Sequence, residues 1–474
     1  MPERGPRKTL RWGFFVLLFL ILLVAVAAVV SIRWMDRDEV PAKLALPDGV
    51  AISVAGVDFG TNHVLGSRLA RWAARTPPMV QGGLKKIFGA RAVPSQIFQT
   101  STPMLVVWLN LPKPPAQKPH SPPQGSYLAY LADTGGFTSG SSQGFSLGFG
   151  LPMPMQFDAF PRRERSIVMH VFYRDNHDLQ GKWSDCGTLS IANPEYRSYP
   201  QWQPETLPAT NRAGDVEATL EQFRTGQGAG TTSTELANGG HEVTFPMKPW
   251  SVDNETACCL KVRSLSNPMR AWQVIHAEVS DATGNTLPNQ GMTSGSIDSS
   301  LFTFSPGLWT NEAAWKLRCE IRCFRGFAPG ELITFSNVPL PEMFQTNHLE
   351  WSTSLDGATV TLDYIIRRQP FTNGGWNSKL VSTARFVLSG ATQDIHLEFV
   401  EAHADKDIYV QCRSGRNGEN WLERDLSIPA EARTLNLTLG MSQSRWVEFL
   451  VKPETGPARF EFPPPRIWSG RLNH

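Results

Sequence analysis

The chain has 474 residues, 45 Lys and Arg against 43 Asp and Glu, and a formal net charge of +2. A chain of this length builds several cores, and charges so nearly balanced give no electrostatic basis for a nucleic-acid partner. Its 39 Gly, 36 Pro, 26 Phe and 15 Trp favour turns and short apolar strands over a helical protein.

The first eleven residues carry Arg4, Arg7, Lys8 and Arg11, and residues 12–32 contain no charge. As a helix those residues extend roughly 31 Å, the thickness of a bilayer's hydrocarbon core. The Lys/Arg excess on the upstream side places residues 1–11 in the cytoplasm and the rest of the chain across the bilayer. Trp12 and Trp34 fall where interfacial anchors sit. A cleaved secretory signal is the competing reading, with Ala25-Val26-Ala27 as its cleavage site. The apolar middle of a signal is only about 7 to 15 residues, however, and here that site lies inside the apolar run instead of after it. The expectation is a single-pass cell-membrane protein, extracytoplasmic in bulk, with the lipid bilayer as its partner through residues 12–32.

Residues 33–102 read as a membrane-proximal connector with one short basic amphipathic helix. In HVLGSRLARWAAR, Leu65, Leu69, Trp72 and Ala73 recur at helical spacing, and Arg68, Arg71 and Arg75 gather on another face. Pro77 and Pro78 stop that helix. Such a helix lies on a membrane surface or packs on the first domain, and its solvated basic face suits the second.

Residues 103–193 form a first β-rich domain from PMLVVWLNL, SYLAYLAD, ERSIVMHVFY and CGTLSIAN. Its loop HVFYRDNHDLQGKWSD brings Asp175, His177, Asp178 and Trp183 together in sequence. Paired carboxylates beside aromatics suit a sugar-cleaving site or a ligand loop. Ordinary polar loop composition is the favoured account of them.

Residues 194–240 read as a linker with a short helix at DVEATLEQF, followed by β-sandwich-like domains at 241–345 and 346–453 and a tail at 454–474. In WKLRCEIRCF, Trp315, Leu317, Cys319, Ile321 and Cys323 form one face, and Lys316, Arg318, Glu320 and Arg322 form the other. This is a strand covered on one side and wet on the other. Six cysteines permit disulfides, yet Cys319 and Cys323 on one strand stand roughly 13 Å apart and do not pair with each other.

The richest histidine and carboxylate stretch is HLEFVEAHADKD. A hairpin there would collect His396, Glu398, His403 and Asp405 as metal ligands, although their spacing follows no dedicated ligand motif. A solvated turn between strands is the favoured account of them. A serine-nucleophile elbow, a phosphate loop and a dinucleotide fingerprint are all missing from the sequence, so no cofactor is expected.

The whole reads as a mainly β protein: a transmembrane helix followed by two or three antiparallel β-sandwich-like domains. Its expected role is that of a membrane-anchored extracytoplasmic scaffold, adhesion or binding protein, with another protein or a glycan as a second partner. The alternative is a carbohydrate-active or other hydrolytic enzyme displayed on the outer side, and the enzyme question stays open.

Overall fold

The computed structural model describes residues 42–45, 51–66, 68–89, 93–110, 125–133, 138–140, 145–146, 152–175, 184–227, 232–236, 241–245, 254–289, 291–296, 299–305, 307–368, 382–390, 394–418, 420–456 and 458–462. They form two compact units, one ending at Tyr199 and the other starting at Pro200.

In the first unit a sheet runs in the order Lys43–Ala45, Ala51–Leu65, Gln96–Asn110, Met153–Phe157. A second is built on Gly125–Ala132, Ser166–Asp175 and Ser184–Ala192. One core joins them: Ile52, Leu105, Val107 and Phe157 from the first sheet pack with Leu131, Ile167, Met169 and Ile191 from the second. Period-2 patterning aims those side chains inward, and their burial is the main favourable term holding the two sheets together. Helix α1, Arg68–Ala74, and helix α2, Pro78–Phe88, follow the strand Ala51–Leu65. In α1 the buried stripe is Leu69, Ala70 and Ala73, and Trp72 is exposed. The expected stripe through Leu65 and Trp72 fails because Leu65 still belongs to the strand and Trp72 projects roughly 100° away from the buried side. Pro78 begins α2, where its missing N–H costs nothing, so the proline pair separates two helices.

In the second unit, a sheet on Val216–Gln227, Asn254–Ser264 and Ser299–Phe304 is followed by one ordered Thr286–Pro288, Ala271–Asp281, Trp315–Arg325, Arg445–Val451. Two further sheets share a core in which Phe335, Leu437, Leu439 and Ala402 meet Val360, Leu362, Phe386 and Leu426. The stretch expected as a helix at DVEATLEQF is part of the strand Val216–Gln227. Val216, Ala218 and Leu220 point into the core at every second position, with Glu217 between them also buried, then a bulge between Leu220 and Gln222 brings Phe223 inward. Spacing of 216, 220 and 223 imitates a helix because the bulge inserts one residue into a period of two.

The expected row of an anchor and self-contained sandwich-like domains is corrected to seven open sheets among the described residues, in two units. The reason is non-local pairing. Trp315–Arg325 pairs with Arg445–Val451, and Leu332–Pro339 pairs with Thr434–Gln443.

The membrane reading is corrected as well. Helices α1 and α2 have 7 and 11 residues, and among the described residues no helix is long and apolar enough to cross a membrane. A crossing needs about 20 apolar residues. The segment 12–32 lies outside the described residues. A spanning helix, a bilayer partner held through it and single-pass cell-membrane localisation therefore have no support, nor has an anchored extracytoplasmic role, whether scaffold or displayed hydrolase.

Candidate functional site

The residues expected as metal ligands sit on and just after the strand Ile395–Ala404. A bulge between Phe399 and Glu401 keeps His396, Glu398, Glu401 and His403 on one face, opposite Ser442, Gly440, Thr438 and Asn436 in turn. They form a row along the strand, with His396 and His403 about 20 Å apart, and do not converge. Each has a local partner. His396 Nε2 lies 3.0 Å from Glu320 Oε1, and Arg424 donates to Glu398 at 3.1 Å. His403 Nδ1 stands 2.9 Å from Asp407, while Asp405 accepts from the backbone N–H groups of Arg433 and Thr434 at 2.6 and 2.8 Å. Among the described residues no three His, Cys, Asp or Glu side chains are grouped to hold a metal ion. Asp175 ends the strand Ser166–Asp175, and His177, Asp178 and Trp183 lie outside the described residues.

Glu320 is the hub of a polar cluster linking two sheets. Ser444 donates to it at 2.6 Å, Arg322 at 3.0 Å, and His396 stands beside it. Burial pushes its carboxyl up, but His396, Ser444 and Arg322 together outweigh that and hold it down at about 2. A carboxylate depressed in the folded state contributes stability above its unfolded pKa, and that stability is lost as pH falls toward the folded value. Wild type is expected to lose about 2 kcal/mol more than Glu320→Gln between roughly pH 6 and pH 3. Urea denaturation of both proteins across that range measures the difference, and parallel curves would refute the assignment.

The strand Trp315–Arg325 alternates in burial along its length, with Trp315, Leu317, Cys319, Ile321 and Cys323 inside. All six cysteines are free thiols. Burial pushes Cys258 well above its ordinary value and Cys259 up to about 12, so both are inert as nucleophiles.

The wet face of the same strand builds the candidate site. Register sets Arg318 between Glu278 and Glu448, and Glu320 between His276 and Trp446. Arg318 stacks its guanidinium 4.1 Å from the centre of the Trp446 ring and approaches Glu278 at 3.4 Å and Glu448 at 3.6 Å. Lys316 lies 3.6 Å from Glu448 and 5.4 Å from the centre of the Trp202 ring. The segment before and within Ala209–Ala213 closes the other side. Glu205 N–H donates to the Leu450 carbonyl at 2.6 Å, and Asn211 Nδ2 donates to the Glu448 carbonyl at 2.6 Å. These contacts cover the outer edge of Arg445–Val451, an edge that would otherwise be open to another strand.

Between the two walls lies a groove of about 410 Å³, lined chiefly by Glu205, Asn211, Arg212, Lys316, Trp446 and Glu448. Its size falls within the range of small-molecule sites. Two acids face two bases, so the lining has no dominant sign. The lining also combines an indole with amide, carboxylate and guanidinium groups, which donate and accept hydrogen bonds.

Sequence reasoning picked out Lys316 and Arg318 as a solvent face and missed the rest. Glu205 and Asn211 lie in a stretch poor in sustained apolar runs, and the only signal from Trp446 and Glu448 is the alternation of RWVEFLV. Comparison with family models, with curated proteins and with solved structures finds no match, so the groove is read from its own chemistry.

Proposed function

We propose that the second unit is a ligand-binding body whose groove takes a neutral, hydroxyl-rich ligand, by chemical class a sugar or short oligosaccharide. The observation that carries this reading is the lining itself. Trp446 lines the groove with an indole that carries Arg318 on one face, and Asn211, Glu205, Glu448, Lys316 and Arg212 surround it with donors and acceptors of cancelling charge. A charged ligand would gain little from such a balanced field, and a purely apolar one would strip water from these polar groups with no new hydrogen bond in return. A hydroxyl-rich ligand satisfies both kinds of wall.

Titration of the protein with a panel of neutral mono- and oligosaccharides, followed by calorimetry and by tryptophan fluorescence, tests the reading. At least one sugar is expected to bind, and Trp446→Ala is expected to weaken it by roughly tenfold or more, equivalent to 1.4 kcal/mol. Glu448→Gln should weaken it less, since it keeps one oxygen acceptor. Binding left intact in Trp446→Ala, or an entire panel without binding, would refute the proposal.

A further inference from the structure

In the first unit, the strands Ala51–Leu65 and Gln96–Asn110 continue beyond their sheet. Among the described residues Lys43–Ala45 pairs only with Ala51–Ser53, and Met153–Phe157 only with Leu105–Leu109. Asn62–Leu65 against Gln96–Gln99 is therefore a two-stranded arm among the described residues, and α1 and α2 follow at its end.

Helix α2 has no buried residue. At 100° per residue, Met79, Val80, Gly83 and Ile87 share one side; Lys86 borders that stripe about 20° from Met79, and Lys85 lies well away from it. Met79 is 92% exposed and Ile87 73% exposed. Trp72 of α1 and Ile97 of the arm are exposed too. Eleven residues with adjacent glycines at 82 and 83 make a helix of marginal stability in water, and a surface receiving its apolar side would stabilise it.

Charge identifies the kind of surface. Between Asp58 and Asp133 lie 74 residues without one Asp or Glu, and eight of them are Lys or Arg. A protein groove is usually matched by a mixed pattern of donors, acceptors and both signs of charge. A run of one sign along the sequence that contains an exposed apolar helix face matches a diffuse negative surface with an apolar interior. We propose that α2 docks its Met79–Ile87 side on an anionic lipid surface. The contact is peripheral, made by a helix lying in the interface plane, and it is independent of the groove in the second unit.

Hydrogen exchange of the full chain tests this with two probes, vesicles of phosphatidylcholine and vesicles carrying about 30% phosphatidylserine. The amides of residues 79–88 are expected to exchange roughly fivefold or more slowly on the anionic vesicles. Exchange reads α2 directly, so association of the chain with vesicles through any other segment, residues 12–32 included, leaves this difference unmoved. Met79→Glu with Ile87→Glu, and separately Lys85→Glu with Lys86→Glu, should each abolish it with the circular dichroism of the chain unchanged. Equal exchange on both vesicles, or a difference that survives in either variant, overturns the proposal. Protection conferred by soluble polyglutamate and absent on anionic vesicles also overturns it, in favour of an acidic macromolecule.

Discussion

Trp315→Ala is expected to destabilise the second unit by about 3 to 5 kcal/mol, the cost of removing a large buried aromatic that leaves a cavity behind. Trp315 is completely buried at the start of the strand Trp315–Arg325. Its ring meets that of Trp309 edge to face, with centroids 5.1 Å apart, and its indole N–H donates to the Trp309 carbonyl at 3.2 Å. Alanine removes the transfer term, the aromatic contact and the hydrogen bond together, leaving the Trp309 carbonyl without that donor. Trp315→Phe keeps most of the volume and should cost clearly less. Urea unfolding followed by far-ultraviolet circular dichroism gives both values. A loss below about 1 kcal/mol for the alanine variant would mean that the site collapses around the smaller side chain.

The second large effect is expected at Asp281, a buried acid at the end of the strand Ala271–Asp281. Its Oδ1 accepts from the backbone N–H groups of Thr283 at 2.9 Å and Asn285 at 3.0 Å, and from the Thr283 hydroxyl at 2.7 Å. Its Oδ2 accepts from Asn285 Nδ2 at 2.7 Å. One carboxylate thus closes the turn from both its backbone and its side chains, and Gly284 at φ 94° supplies the left-handed step that an L side chain resists. Asp281→Ala removes the acceptor shared by several buried donors and should cost about 4 kcal/mol. Asp281→Asn retains one oxygen and should cost roughly half as much. Thermal unfolding of the two variants checks the order. If asparagine proves as damaging as alanine, the charge of the carboxylate matters more than its geometry as an acceptor.

Both sites show what is legible from residues alone. The turn Asp281-Ala-Thr-Gly284 announces itself through local chemistry, since the residues that make it are adjacent in the chain. Trp315, Leu317, Cys319, Ile321 and Cys323 are likewise readable as one buried face, because a strand's period of two is written in its own residues. Errors arise where a local pattern admits two geometries. Val216, Leu220 and Phe223 have helical spacing only because a bulge interrupts a strand, and Pro77-Pro78 reads as a stop although Pro78 also begins α2. The row from His396 to His403 suggests ligands by composition, but an extended backbone spreads them along about 20 Å.

The residues alone make legible that the protein is mostly strand, which face of each alternating strand is apolar, and where tight turns fall. All of these follow from side-chain periodicity and turn chemistry within a few residues. Tertiary structure alone decided that Arg445–Val451 lies beside Trp315–Arg325, that Glu205 and Asn211 close its edge, and that Trp446 meets Arg318 across the register. Strand pairing is set by the burial of both faces and by hydrogen bonds between residues more than a hundred positions apart. No local pattern specifies such a partner, and so the groove, which exists only between those partners, could not be read from any one of them.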